Sequence, residues 1–259
     1  MASAGTVHAG GFGATMAGVP THENGRTVVA NDETRRTFGE QLSEIKTDVI
    51  RFAAAAGELI GAGTQAILDA DLTVVEDVAE KGRGLDAMSH SIEQRAYEMF
   101  ATQQPMAVDL RTLLAILRIL HELQLSKDLM VSVAKAARRL YPQQLPPKIR
   151  GIIERMGGQA NVQLHLAIDA FADSDHALAV ALPDMDDVMD DLQKELFRSI
   201  FSLCTPDEQG LQQAVQLALV GRYYERVADH AVLIGMWSNF MVTGDLPSRE
   251  PPETVDVSG

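Results

Sequence analysis

Two pairs of acids with the same spacing hold most of the chemistry this sequence offers. In the run GRYYERVADHAVLIG, Gly221 to Gly235, Glu225 and Asp229 stand four residues apart, and in PDMDDVMDDL Asp186 and Asp190 repeat the interval. On a helix, positions i and i+4 share a face, with Cβ atoms roughly 5–6 Å apart. Four carboxylates brought together repel one another unless a cation sits among them. An all-oxygen donor set suits Mg²⁺, Mn²⁺ or Fe, with water in the open positions. Spacing alone is served equally well by a plain solvated acidic face. His230 is turned about 100° from Asp229 and reads as a packing or capping residue. Arg222 and Arg226, one turn apart, read as partners for these acids or for another protein.

The elements that must carry these pairs are helices. The last one, from Pro206 or Asp207 to Thr243 and Gly244, has the stripe Leu217, Val220, Tyr224, Val227, Ala231, Ile234, the alternation of three and four that marks a packed helix. Glu225 and Asp229 then point almost directly away from that stripe, which would spare them the desolvation cost of a core carboxylate. Ala218, Val232 and Met236 share this outward face. The preceding helix is expected over about 175–203 on the stripe Leu182, Met185, Met189, Leu192, Leu196, Ile200, with Asp186 and Asp190 to one side of it. If the two helices form an antiparallel hairpin, the two acidic pairs approach each other.

Earlier in the chain, residues 1–31 are rich in Gly, Ala and Thr and lack apolar periodicity, so a disordered extension is expected. A first helix begins near Asp32 or Thr34 on Phe38, Leu42, Ile45, Val49, Phe52 and Ala56, and Gly61 and Gly63 loosen it. A second covers about 64–102, and a third about 107–140. Tyr141, Pro142, Pro146 and Pro147 end that half of the chain. A fourth helix covers 148–173.

The six helices are two copies of three. Leu110, Ile116, Ile119, Leu123, Asp128 and Val131 fall on Leu211, Leu217, Val220, Tyr224, Asp229 and Val232 at a constant shift of 101, and Asp86 falls on Asp190 at a shift of 104. A repeat this long is a duplicated domain. The expected fold is therefore all-α: two pseudo-repeated antiparallel three-helix bundles, six long helices in all, packed side by side. The bundles take residues 32–142 and 143–244, and 245–259 forms a disordered tail. In the first copy Gly82 stands where Asp186 stands in the second, and Gln124 where Glu225 stands. Only Asp86 and Asp128 remain there as weaker candidate ligands.

A formal charge of −14 over 259 residues argues against nucleic acid, whose phosphates need a clustered cationic surface, and against adsorption to anionic lipid. No run of about 20 apolar residues would insert into a membrane. Cys204 is the only cysteine, so no disulfide forms within the chain, which favours a reducing compartment. A di-metal carboxylate enzyme or metal-storage bundle is the competing class. It would need inward-facing Glu-x-x-His pairs, and the sequence has none. Neither a glycine-rich phosphate loop nor a nucleophile with an adjacent base is visible.

The duplicated three-helix plan, the DxxxD of Asp186 and Asp190, and YERVADHA with Glu225 and Asp229 resemble the PhoU family of phosphate-signalling regulators. The DLR of Asp109 to Arg111 and the VTGD of Val242 to Asp245 also look like that family, particularly its high-GC Gram-positive members. The resemblance covers about residues 33–245. It implies a cytoplasmic, non-enzymatic negative regulator of the phosphate-starvation response. Such a protein would mediate between the high-affinity phosphate ABC transporter, through its ATPase, and a membrane sensor histidine kinase. It further implies a homodimer and a divalent or iron cation on the acidic motifs. Gly82 and Gln124 depart from the family pattern and put a first-repeat cluster in doubt.

Overall fold

The computed structural model describes residues 24–103, 105, 107–203 and 207–247, with side chains from residue 36 onward apart from 103 and 203. Its elements in order are α1 (Asn24–Asp69), α2 (Leu72–Gln103), α3 (Ala107–Leu140), α4 (Pro147–Asp173), α5 (His176–Ala181), a single 3₁₀ turn (Pro183–Met185), α6 (Asp186–Leu203) and α7 (Glu208–Thr243). Six of these are long helices, and no strand occurs among the described residues. No described helix is long and apolar enough to cross a membrane. The chain divides into two compact units, Met1–Gly39 and Glu40–Gly259. In the first, residues 24–39 are helical, whereas the sequence predicts disorder up to residue 31; residues 1–23 lie outside the described part. Everything below concerns the second unit.

Helix boundaries follow local chemistry. Helix α1 runs straight through Gly61 and Gly63, because flanking Leu59, Ile60, Ala66 and Ile67 are buried and tertiary packing outweighs the helix cost of glycine, about 1 kcal/mol each. It stops at Asp69, nearly two turns beyond the expected break, and Ala70, whose φ of 53° reverses the chain, moves the start of α2 from the expected residue 64 to Leu72. Asp71 then starts α2 by accepting a hydrogen bond from the Thr73 amide at 2.8 Å. Pro147 occupies the first turn of α4, where its missing N–H costs nothing. Asp207 caps α7 through the Gly210 amide at 2.7 Å, and Gly244, at a φ of 87°, closes it.

The expected fifth helix is interrupted. Pro183 cannot continue an α-helix that would need its N–H, so the segment becomes α5, the 3₁₀ turn and α6. Met185, in the turn, is only partly buried, whereas Leu182, Met189, Leu192, Leu196 and Ile200 sit in the core as the stripe requires.

The core is continuous across the repeats. Helix α3 packs on α7 more extensively than on α2, its neighbour in the same repeat, and α7 also packs against α4, α5 and α6. Ile116, Ile119 and Leu123 are fully buried, and so are their counterparts Leu217, Val220 and Tyr224. Each large apolar side chain withdrawn in this way contributes roughly 1.5–3 kcal/mol. Tyr224 also places its hydroxyl 2.7 Å from Thr64 Oγ1 on α1, so the polar end of the largest core side chain is satisfied.

Candidate functional site

Helices α6 and α7 form the hairpin that the acidic pairs require. A Cβ added at Gly221 would lie 2.7 Å from Leu196 Cδ2, so the glycine lets the two helices close up without displacing that leucine. Glu225 follows one turn later. On the other strand of the hairpin, α4 holds the start of α6: Gln159 Nε2 donates to the Met185 carbonyl at 3.1 Å, which sets the direction in which Asp186 leaves the 3₁₀ turn.

The four acids lie within electrostatic reach of one another. Burial pushes the Asp186 carboxyl up to about 6, and the charges of Asp229 and Asp190 push the same way. Burial likewise raises Glu225 to about 7, with Asp229 adding to the shift and Arg222 opposing it. Asp229 is also raised, chiefly by burial. Asp190 is exposed. Arg222 Nη1 donates to Glu225 Oε1, so the expected pairing of an arginine with these acids is present. Glu225 Oε2 and Asp186 Oδ1 are buried with no hydrogen-bond partner. Fully buried Gln163 faces Asp186 closely enough to favour its charged form, without a well-formed hydrogen bond.

Glu225 does not escape desolvation as the helical wheel suggests: it is only 9% exposed. A single apolar stripe implies one buried face, but α7 has neighbours on nearly every side. Ala228 and Gly221 are buried along with Val220, Tyr224 and Val227, and no broad outward face remains. His230 is also more than packing. Its Nδ1 lies 2.7 Å from Glu122 Oε2 on α3, and both residues are buried. Nothing in local spacing points to Glu122; the only hint is an acid on a face otherwise made of Ile119, Leu123 and Met130.

In the first repeat, Asp86 and Asp128 are exposed acids that share a contact with Lys127, and Gln124 Nε2 donates to Glu93 Oε1 at 3.5 Å. A cleft of about 400 Å³ between α1 and α2, lined by Glu44, Ile45, Arg95, Glu98 and Met99 among others, includes none of the candidate acids. Among the described residues, no three His, Cys, Asp or Glu side chains are grouped tightly enough to hold a metal ion as the side chains are set. The donor chemistry nevertheless fits a hard cation: all the acids present oxygen, two buried carboxylate oxygens lack partners, and burial together with mutual repulsion raises the proton affinity of the site.

Fold and site together define an internally duplicated, all-α bundle whose distinguishing feature is a cluster of carboxylates between the last two helices. Two segments, residues 49–137 and 153–238, each match the PhoU domain, with starts and ends offset by the shifts read from the sequence. The chain is 33% identical over 221 residues to the phosphate-specific transport system accessory protein PhoU homolog 1 of Mycobacterium tuberculosis, covering 85% of this chain and 99% of that protein. It is 28% identical over 221 residues to the PhoU homolog of Caulobacter vibrioides, covering 85% of this chain and 96% of the relative. The crystal structure of PhoU from Pseudomonas aeruginosa superposes with a TM-score of 0.75 at 24% identity, covering 80% of this chain and 100% of that one. The chain belongs to the PhoU family.

Proposed function

We propose that this protein is a regulatory accessory subunit of phosphate uptake, acting in the cytoplasm as a homodimeric negative regulator of the phosphate-starvation response. It binds a sensor histidine kinase and the ATPase of a high-affinity phosphate ABC transporter, and so couples uptake to signalling. The observation that carries this reading is family membership across both repeats, shared with relatives named as phosphate transport accessory proteins rather than as enzymes. Six long helices suit the task. A 36-residue helix such as α7 is roughly 54 Å long, enough to span two partner surfaces.

Asp186, Asp190, Glu225 and Asp229 would hold a divalent or iron cation, Mg²⁺, Mn²⁺ or Fe. The cation would neutralise the cluster and draw α6 and α7 into one docking shape. A di-metal oxidase is disfavoured because the sequence has no Glu-x-x-His and because His230, the histidine beside the acids, is committed to Glu122.

The reading is tested by capturing the kinase and the transporter ATPase on the tagged chain from cells grown in high and in low phosphate. A phosphate-regulated reporter is followed alongside in cells carrying D186N/D190N/E225Q/D229N. Expected results are capture that depends on phosphate supply and a reporter derepressed in the quadruple variant. No capture in either condition, together with an unchanged reporter, would overturn it.

A further inference from the structure

The two repeats differ in charge at three matched positions, and only one of them places a cation in the first repeat. Lys127 on α3 has a side chain only 4% exposed, and its Nζ contacts Asp86 Oδ1 on α2 as well as Asp128 Oδ1 at 2.8 Å. Two carboxylates in contact with one buried ammonium favour its charged form. At the shift of 101, Lys127 corresponds to Ala228 and Asp128 to Asp229, while at the shift of 104 Asp86 corresponds to Asp190. Ala228 is fully buried and uncharged, so the position of the ammonium has no cationic counterpart in the second repeat, where Arg222 and Arg226 approach Asp229 from elsewhere on α7.

Neighbouring positions agree. A Cβ at Gly82, the counterpart of Asp186, would lie 2.9 Å from Val131 Cγ2, so a carboxylate side chain there would have to displace Val131. Gln124 replaces the acid of Glu225 with a neutral amide. The first repeat therefore has two acids and one lysine seated between them, whereas the second has four acids and, among its contacts, one arginine on Glu225.

We infer that Lys127 is the built-in cation of the first repeat: its ammonium bridges Asp86 and Asp128 and closes that locus to metal ions, which leaves only the second repeat open to a cation from solution. The part concerning the second repeat rests on the reading proposed above; the part concerning Lys127 does not. A tethered ammonium is present at high effective concentration and its desolvation is met by folding of the chain, so a weakly charged two-acid locus keeps it in preference to a hydrated divalent ion.

The test uses the full chain, stripped of metal with chelator and then titrated with Mn²⁺, with bound metal counted by equilibrium dialysis and thermal unfolding followed in parallel. K127A, which copies the Ala228 of the second repeat, is expected to bind one more equivalent of Mn²⁺ than the parent and to gain a Mn²⁺-dependent rise in Tm. Adding D86N/D128N should abolish both gains. The same comparison in the D186N/D190N/E225Q/D229N background separates the two ideas. Absence of Mn²⁺ from the parent would count against the second-repeat site, while absence of any gain on K127A would overturn the role given to Lys127. A K127A chain that is unfolded without metal and refolds on adding Mn²⁺ supports the inference, and one that Mn²⁺ leaves unfolded overturns it.

Discussion

His230 Nδ1 meets Glu122 Oε2 at 2.7 Å in the interior, joining two residues 108 positions apart, one from each repeat. The pair lies on the α3–α7 seam where the bundles share their core, and His230 Nε2 has no other partner. Removing one member strands a buried polar group. E122A or H230A should each cost about 2–4 kcal/mol in urea denaturation. The double variant should cost clearly less than the sum of the two, because it leaves nothing uncompensated. Strict additivity would show that the two side chains do not interact in solution.

The acidic cluster should make stability fall as pH rises. Glu225 titrates at about 7 in the folded chain against 4.5 for the free side chain, and Asp186 at about 6 against 3.8. Between the free and folded values the folded state holds more protons than the unfolded state, so stabilisation present at the acid end is lost on passing through the folded values. Without metal, E225Q should be more stable than the parent at pH 8, and its denaturation midpoint should change less between pH 5 and 8. A parent whose midpoint is flat across that range would contradict the burial of Glu225.

If Asp186, Asp190, Glu225 and Asp229 hold a cation, Mn²⁺ at about a hundred times its dissociation constant should add about 2.7 kcal/mol to the stability of the chain. Calorimetric melts of chelator-treated protein with and without Mn²⁺ would measure it. D186N/D190N/E225Q/D229N should lose the increment while gaining stability in chelator, since mutual repulsion is gone.

Ala70 holds a φ of 53° at the reversal between α1 and α2, a left-handed conformation that costs a residue with a Cβ about 1–2 kcal/mol. A70G should recover about 1 kcal/mol of that, despite the greater entropy of glycine in the unfolded chain. Chemical denaturation reads the change directly, and a destabilised A70G would show that Ala70 is packed rather than strained.

Much of this protein was legible in order of residues. Apolar spacing of three and four places α3, α4 and α7 within a residue or two of their observed ends, because helices are stabilised locally and start and stop at Pro, Asp and Gly. The constant shifts between Leu110 and Leu211 and between Asp86 and Asp190 expose the duplication, which the two matched PhoU domains bear out. Pro183 is a local signal too, and the apolar stripe from Leu182 to Ile200 masked it.

What the sequence by itself determined is the helical class, the twofold repeat and the pairing of acids one turn apart, since each depends on intervals of a few residues or on direct comparison of the two halves. Only the tertiary structure decided that Glu225 is buried, that His230 meets Glu122, and that Lys127 sits between Asp86 and Asp128. Each of these depends on how far neighbouring helices slide and how closely they approach. Those quantities are set by packing summed over the whole core, so no interval along the chain encodes them.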